Sequence, residues 1–238
     1  EKLDASLTTT TGDAAKSGVG VVGLVAGAQD SAGLFLSLSD TTTVGVKNGG
    51  ASVAFASSGA GTSGWGTTAL PSHAITLSGP VYRAASATVL PATVNLGNVR
   101  AGSAISSSSV TVSNLAQTDG FSDQLRATSG PASNNFALTG ALTLNAGDSG
   151  VLPITYTGST AVAGLKSGTL LVDLVSIGQS ETGLADLPLT SGTVSVSASV
   201  FRPAVPVVST TSFDLGNIRE GQVFSPRFVS IKNDVTAD

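Results

Sequence analysis

Cysteine and methionine are absent from this chain of 238 residues, histidine and tryptophan occur once each, and only 11% of residues are charged. Without cysteine there is no disulfide framework, no thiolate nucleophile and no sulfur-ligated metal. Without an initiator methionine, Glu1 reads as a processed terminus or the start of a fragment, so the lack of a signal peptide carries no information. The net charge of −4 leaves no basic face to neutralise a phosphate backbone, which argues against nucleic-acid binding. The weakly polar stretch from Gly18 to Ala28 falls short of the roughly 18–20 apolar residues of a membrane helix and reads as a glycine-rich strand segment, so membrane insertion is not expected. Low charge does not make the chain disordered, because 41% of it is hydrophobic and its mean hydropathy is positive.

Ser, Thr, Gly and Ala are abundant, with 29 glycines, and this is poor helix material that suits short strands joined by turns. Apolar and small polar residues alternate in Ser109–Ser113, Gly150–Thr157, Thr169–Val175 and Gly192–Val200, the period-two signature of half-buried strands. Turn-forming clusters such as Ser129-Gly130-Pro131 and Asn145-Ala146-Gly147-Asp148 separate them. The pattern predicts an all-β fold of antiparallel, immunoglobulin-like β-sandwich units.

The sequence repeats itself. Val94-Asn95-Leu96-Gly97-Asn98-Val99-Arg100 returns 119 residues later as Phe213-Asp214-Leu215-Gly216-Asn217-Ile218-Arg219, and Gly102, Val110, Val112 and Asn114 return as Gly221, Val229, Ile231 and Asn233. At the same offset Lys47 meets Lys166, Gly49 meets Gly168, and Val81-Tyr82-Arg83 meets Val200-Phe201-Arg202. Near the start the register slips, so that Glu1–Ala5 matches Asp123–Ala127. Tandem repeats of about 119 residues follow. With Ala84–Pro91 and Pro203–Ser209 taken as linkers, residues 84–202 form a complete sandwich and residues 1–83 a sandwich lacking its opening strands. Residues 203–238 are then the opening strands of a further sandwich, and the chain starts and stops in mid-domain.

The Val94–Val99 run with Gly102, followed by a strand ending at Asn114, resembles the opening of the ASH (ASPM, SPD-2, Hydin) immunoglobulin-like domains and of the bacterial choice-of-anchor D surface-protein repeats that belong with them. Phe213 to Asn233 carries the pattern a second time. The resemblance covers the N-terminal third of the unit in both copies. It implies a seven- or eight-stranded sandwich in a secreted, repetitive, bacterial cell-surface protein, with no catalytic residues to transfer.

Candidate chemistry is sparse. Gly147-Asp148-Ser149-Gly150 copies the tetrapeptide around the nucleophile of trypsin-like serine proteases, with His73 upstream and Asp119 and Asp123 between. A triad needs a base on the serine and an acid on the base; here His73 aligns with Gly192, and the tetrapeptide aligns with Gln29-Asp30-Ser31-Ala32, so both sites read as loops. Asp119 with Asp123, and Asp234 with Asp238, lack the carboxylate density of a calcium site. Trp65, the one plausible sugar-stacking anchor, aligns with Leu184 and reads as a packing residue. Arg100 with Arg219 and Lys47 with Lys166 recur, which marks structure such as a surface pair or a covered sheet edge. No enzyme activity, metal or cofactor is expected.

An incomplete sandwich exposes an apolar face and an open strand edge, both of which recruit partners. The expected partner is the chain itself: residues 203–238 of one copy, or of an adjacent repeat, complete residues 1–83 of the next by strand addition, with Phe213, Leu215, Val229 and Ile231 as buried anchors; the competing geometry folds residues 203–238 back onto residues 1–83 of their own chain, as a circularly permuted pair of domains. Such a contact is head-to-tail and builds filaments. The expected function is a structural subunit of an extracellular fibre, sheath or surface layer; the alternative is a stalk or adhesin repeat that presents a distal binding domain.

Overall fold

The computed structural model describes residues 1–178 and 182–235, and among them every regular element is a β-strand. The chain divides into two compact units, residues 1–84 with 116–123 and residues 85–115 with 124–238.

The first unit contains β1 (Lys2–Gly12), β2 (Ala14–Ser17), β3 (Val21–Leu24), β4 (Phe35–Leu38), β5 (Gly45–Ser58) and β6 (Thr68–Val81). Its main sheet runs β3-β1-β5-β6, all antiparallel, and β2 pairs with β4 in a separate ladder. Gly18 to Ala28, expected as one strand segment, is a strand only over β3, with Gly18, Gly20 and Gly27 in left-handed conformations at its turns. His73, expected in a loop, is paired with Val53 inside β6. Pro71 and Pro80 disguise this run in the sequence, because proline is tolerated in a strand mainly at a sheet edge, which is where β6 lies.

The second unit contains β7 (Ala87–Leu90), β8 (Thr93–Arg100), β9 (Ser108–Asn114), β10 (Gln124–Ser129), β11 (Phe136–Leu138), β12 (Ala141–Leu144), β13 (Ser149–Tyr156), β14 (Gly164–Ile177), the two-residue β15 (Leu187–Pro188) and β16 (Gly192–Phe201). One sheet runs β12-β10-β14-β16-β8, with β15 on β14; the other runs β11-β13-β9-β7. This is more strands than the seven or eight implied by the family resemblance. Ala84–Pro91 is not a linker, because β7 forms there on β9; a four-residue apolar run beside a proline is ambiguous in sequence, and tertiary pairing decides it. The chain then crosses, so that β8 joins the opposite sheet in parallel with β16. Splitting its opening strands this way between two sheets that are antiparallel apart from the β8–β16 pair, the unit is an immunoglobulin-like sandwich.

Alternation explains the core. Val194, Val196, Ala198 and Val200 of β16 are buried, while Ser195, Ser197 and Ser199 between them face outward or are half-buried. Val110 and Val112 of β9 and Leu152 and Ile154 of β13 join one core with the β16 row from the other sheet, and Leu170 and Val172 of β14 extend that row within its own sheet. Phe136 is fully buried beside the Tyr156 ring, centroids 4.7 Å apart. Among the described residues, the buried apolar side chains of residues 1–84 are only Ala5, Ala14, Ala51 and Val53. The first unit therefore has an apolar sheet face but little sealed core.

The ladders of the two units correspond. Lys47 pairs with Gly79 and Ser52 with Ala74, as Lys166 pairs with Ala198 and Leu171 with Thr193. The recurring Gly49 and Gly168 have a common cause, close backbone approach. A Cβ on Gly49 would lie 2.5 Å from the Ala14 nitrogen, and one on Gly168 would lie 2.8 Å from the Ser133 carbonyl oxygen. Replacing Gly168 by Ala should destabilise the second unit by about 1–3 kcal/mol through overpacking, and Phe136→Ala by about 3–5 kcal/mol. Urea unfolding followed by circular dichroism checks both.

Candidate strand-docking interface

Strand edges dominate the candidate site. In the first unit β6 ends the main sheet and β4 ends the small one, whereas their counterparts β16 and β13 are flanked by β8 and β9. The difference shows in burial. Ile75 of β6 is 42% exposed, and Val194, at the same place in β16, is fully buried. Val53, Ile75 and Leu77 thus lie on a face that, in the second unit, β7, β8 and β9 help to close.

The C-terminal segment carries the complementary geometry. Within the expected linker Pro203–Ser209, Pro206–Val208 is a strand (β17), and it pairs antiparallel with Ile231–Asn233 (β18). The pairing Pro206–Asn233, Val207–Lys232, Val208–Ile231 repeats Ala87–Asn114, Thr88–Ser113, Val89–Val112 residue for residue. Side-chain hydrogen bonds repeat with it. Asn114 Oδ1 accepts the Ser86 N–H at 3.1 Å, and Asn233 Oδ1 accepts the Val205 N–H at 3.0 Å. Asn95 and Asp214 each accept the N–H of the glycine two residues on, at 2.8 Å, holding Gly97 and Gly216 in left-handed turns. The segment repeats the β7–β9 pairing and the Gly97 turn, but Phe213–Arg219 forms no strand as β8 does and the burial is missing: Phe213, Leu215, Val229 and Ile231 are 40, 47, 53 and 72% exposed. Their counterparts Val94, Val110 and Val112 are buried, and Leu96 packs against the core.

The other sequence candidates fall elsewhere. Ser149 opens β13 instead of sitting in the loop, and its hydroxyl shares a 2.7 Å hydrogen bond with Ser113, while His73 belongs to β6 of the first unit. Asn145 to Asp148 is the expected turn, closed by the Asp148 N–H on the Asn145 carbonyl. Trp65 is 76% exposed and Leu184 half as accessible as an open chain, so neither is a packing residue. A loop tip of glycines gives the indole nothing to pack on. Among the described residues no three His, Cys, Asp or Glu side chains gather as metal ligands.

Charged pairs serve local structure. Lys47 is buried, and its ammonium reaches Asp40 at 3.4 Å and Thr43. Hydrogen bonds from Thr42 and Thr43, then Lys47, hold the Asp40 carboxyl well below the usual range. In the first unit, Arg83 at the end of β6 clasps residues 116–123: Nη1 donates to both Asp119 oxygens at 2.8 and 2.7 Å and to Ser122 at 3.0 Å. The Phe121 carbonyl accepts the Arg83 N–H, and the Tyr82 and Phe121 rings lie 5.8 Å apart. Arg83 is the main cause of the lowered Asp119 pKa, followed by the Phe121 N–H.

No protein-family model and no curated protein sequence matches the chain. Among solved structures it is similar to the ASH/PapD-like domain 7 of human CEP192, at 9% identity and a TM-score of 0.38 over 50% of this chain and 88% of that one. It is also similar to the D00–D0 domains of intimin, at 10% identity and a TM-score of 0.29 over 79% of this chain and 85% of that one. The cadherin-like domains 1 to 4 of zebrafish RET align at 12% identity and a TM-score of 0.30, over 84% of this chain and 42% of theirs. The sandwich is defined by the chain's own strand order, not by these likenesses.

The sign of the Asp119 shift sets a pH dependence. A carboxyl with a depressed folded pKa stabilises the clasp above its unfolded value near 3.8 and loses that contribution as pH falls through the folded value. NMR titration should place the Asp119 midpoint below 3.8, and Arg83→Ala should raise it; an unmoved midpoint would contradict the clasp.

Proposed function

We propose that the chain is a structural repeat of an extracellular or cell-surface assembly whose copies join head to tail by strand complementation. Residues 203–238 of one copy cover the open edges of β6 and β4 in the next, with Phe213, Leu215, Val229 and Ile231 entering its apolar face. The observation that carries this reading is the pairing of a surplus with a deficit: the segment repeats the β7–β9 ladder register, and the first unit leaves open the edges that β8 and β9 cover in the second.

The energetics favour it. Burying four such side chains contributes on the order of 6–12 kcal/mol before the costs of association. Backbone groups along two edges gain partners as well, which is what makes exposed edges recruit strands. The donor and acceptor surfaces differ, so the contact is heterologous and propagates into filaments unless its rotation closes a ring. A surface of Ser, Thr and Gly with few charges suits a role in which contacts are made by backbone and small side chains.

The full chain should grow in size with concentration in sedimentation velocity, and deletion of residues 210–238 should hold it monomeric. Long assemblies that persist without that segment would refute strand donation, as would a full chain that stays monomeric at all concentrations.

A further inference from the structure

The second unit is a template for the joint in atomic register, and we infer that the donor is a second copy of this chain engaging both sheets of the acceptor at once. Its Phe213–Arg219 segment zips parallel onto β6, and its Phe228–Asn233 segment adds antiparallel along Ser31–Leu36. This inference rests on the strand-complementation reading and specifies it. In the second unit Ser195 pairs with Thr93, Val196 with Val94 and Ser197 with Asn95; the 119-residue offset converts these into Thr76 with Ser212, Leu77 with Phe213 and Ser78 with Asp214. On the other sheet the acceptor follows the alignment of Gly147–Gly150 with Gln29–Ala32, an offset of 118, while the donor keeps 119, so Val151 with Thr111 and Leu152 with Val110 become Gly33 with Ser230 and Leu34 with Val229.

Two features of β6 fit the parallel half. The matched residues Thr76–Ser78 lie between Pro71 and Pro80, where every residue keeps its N–H. Pro80 itself corresponds to Ser199, immediately after the irregularity that breaks the β16–β8 ladder between Ser197 and Ser199. The donor already carries the matching turn, with Gly216 left-handed under the Asp214 carboxylate as Gly97 is under Asn95.

One corner of the template does not transfer. A Cβ on Gly192 would lie 2.6 Å from Cγ2 of Val89. His73 takes the place of Gly192 in the first unit, and Val208 takes that of Val89. The β17 strand must therefore ride outward over His73, and the imidazole holds the joint below its full closure.

The chain has no native cysteine, so introduced pairs report register directly. Thr76→Cys with Ser212→Cys should oxidise into ladders of covalently linked chains, as neighbouring strand positions lie within disulfide reach. Thr93→Cys with Ser195→Cys serves as the intrachain control. Polymers whose ladders appear instead with Ser78→Cys and Ser212→Cys would overturn this register while leaving strand complementation in place. An intrachain 76–212 disulfide in monomers would overturn the second copy as donor, and absence of any assembly would overturn the underlying reading. His73→Gly should lower the concentration at half-assembly at least three-fold; an unchanged or higher midpoint would remove Val208 from that corner.

Discussion

A β-strand at a sheet edge presents unpaired N–H and C=O groups along its length, and a sheet covered on one face only leaves apolar side chains in water. Both constraints act on the first unit. Its main sheet is built on two 14-residue strands, yet the buried apolar residues of the unit are four alanines, Ala5, Ala14, Ala51 and Ala116, and one valine, Val53. In the second unit three strands, β7, β8 and β9, turn a similar sheet into a sandwich with Val110, Val112, Leu152 and Ile154 sealed inside. The physical difference between the units is this cover.

Features of the strands explain how such an edge persists. Two prolines interrupt β6, and proline on an edge discourages indiscriminate pairing because it removes donors. Between them a short run remains open. Specific recruitment by a strand of matching turn and polarity, with weak pairing elsewhere, is the behaviour that this arrangement of donors favours. The charged groups near it are engaged elsewhere: Lys47 holds the turn at Asp40, and Arg83 holds residues 116–123.

Much of the fold was legible in the sequence, for stated physical reasons. Alternation in Gly192–Val200 marked β16 because one face of it is buried and the other wet. The returning Gly97/Gly216 and Asn114/Asn233 marked places where a left-handed turn and a side-chain cap on backbone leave little choice of residue. Legibility failed where local signals conflict with tertiary pairing. Ala87–Leu90 and Pro206–Val208 looked like linkers because they are short and neighbour prolines, and the partners that make them strands lie about 25 residues away. His73 looked like a loop residue because it follows Pro71 and aligns with a glycine; that glycine is small because Val89 sits on it, which no single sequence reveals. Trp65 was misread for a simpler reason: its counterpart Leu184 is itself exposed.

The central claim is that the free edge of β6 is occupied only when chains meet. Amide hydrogen exchange resolved to Thr76–Ser78, compared between dilute and concentrated protein, tests it most directly. Rapid exchange at dilution and strong protection on concentration are expected, with β16 protected throughout. Equal protection of these amides at both concentrations would contradict it.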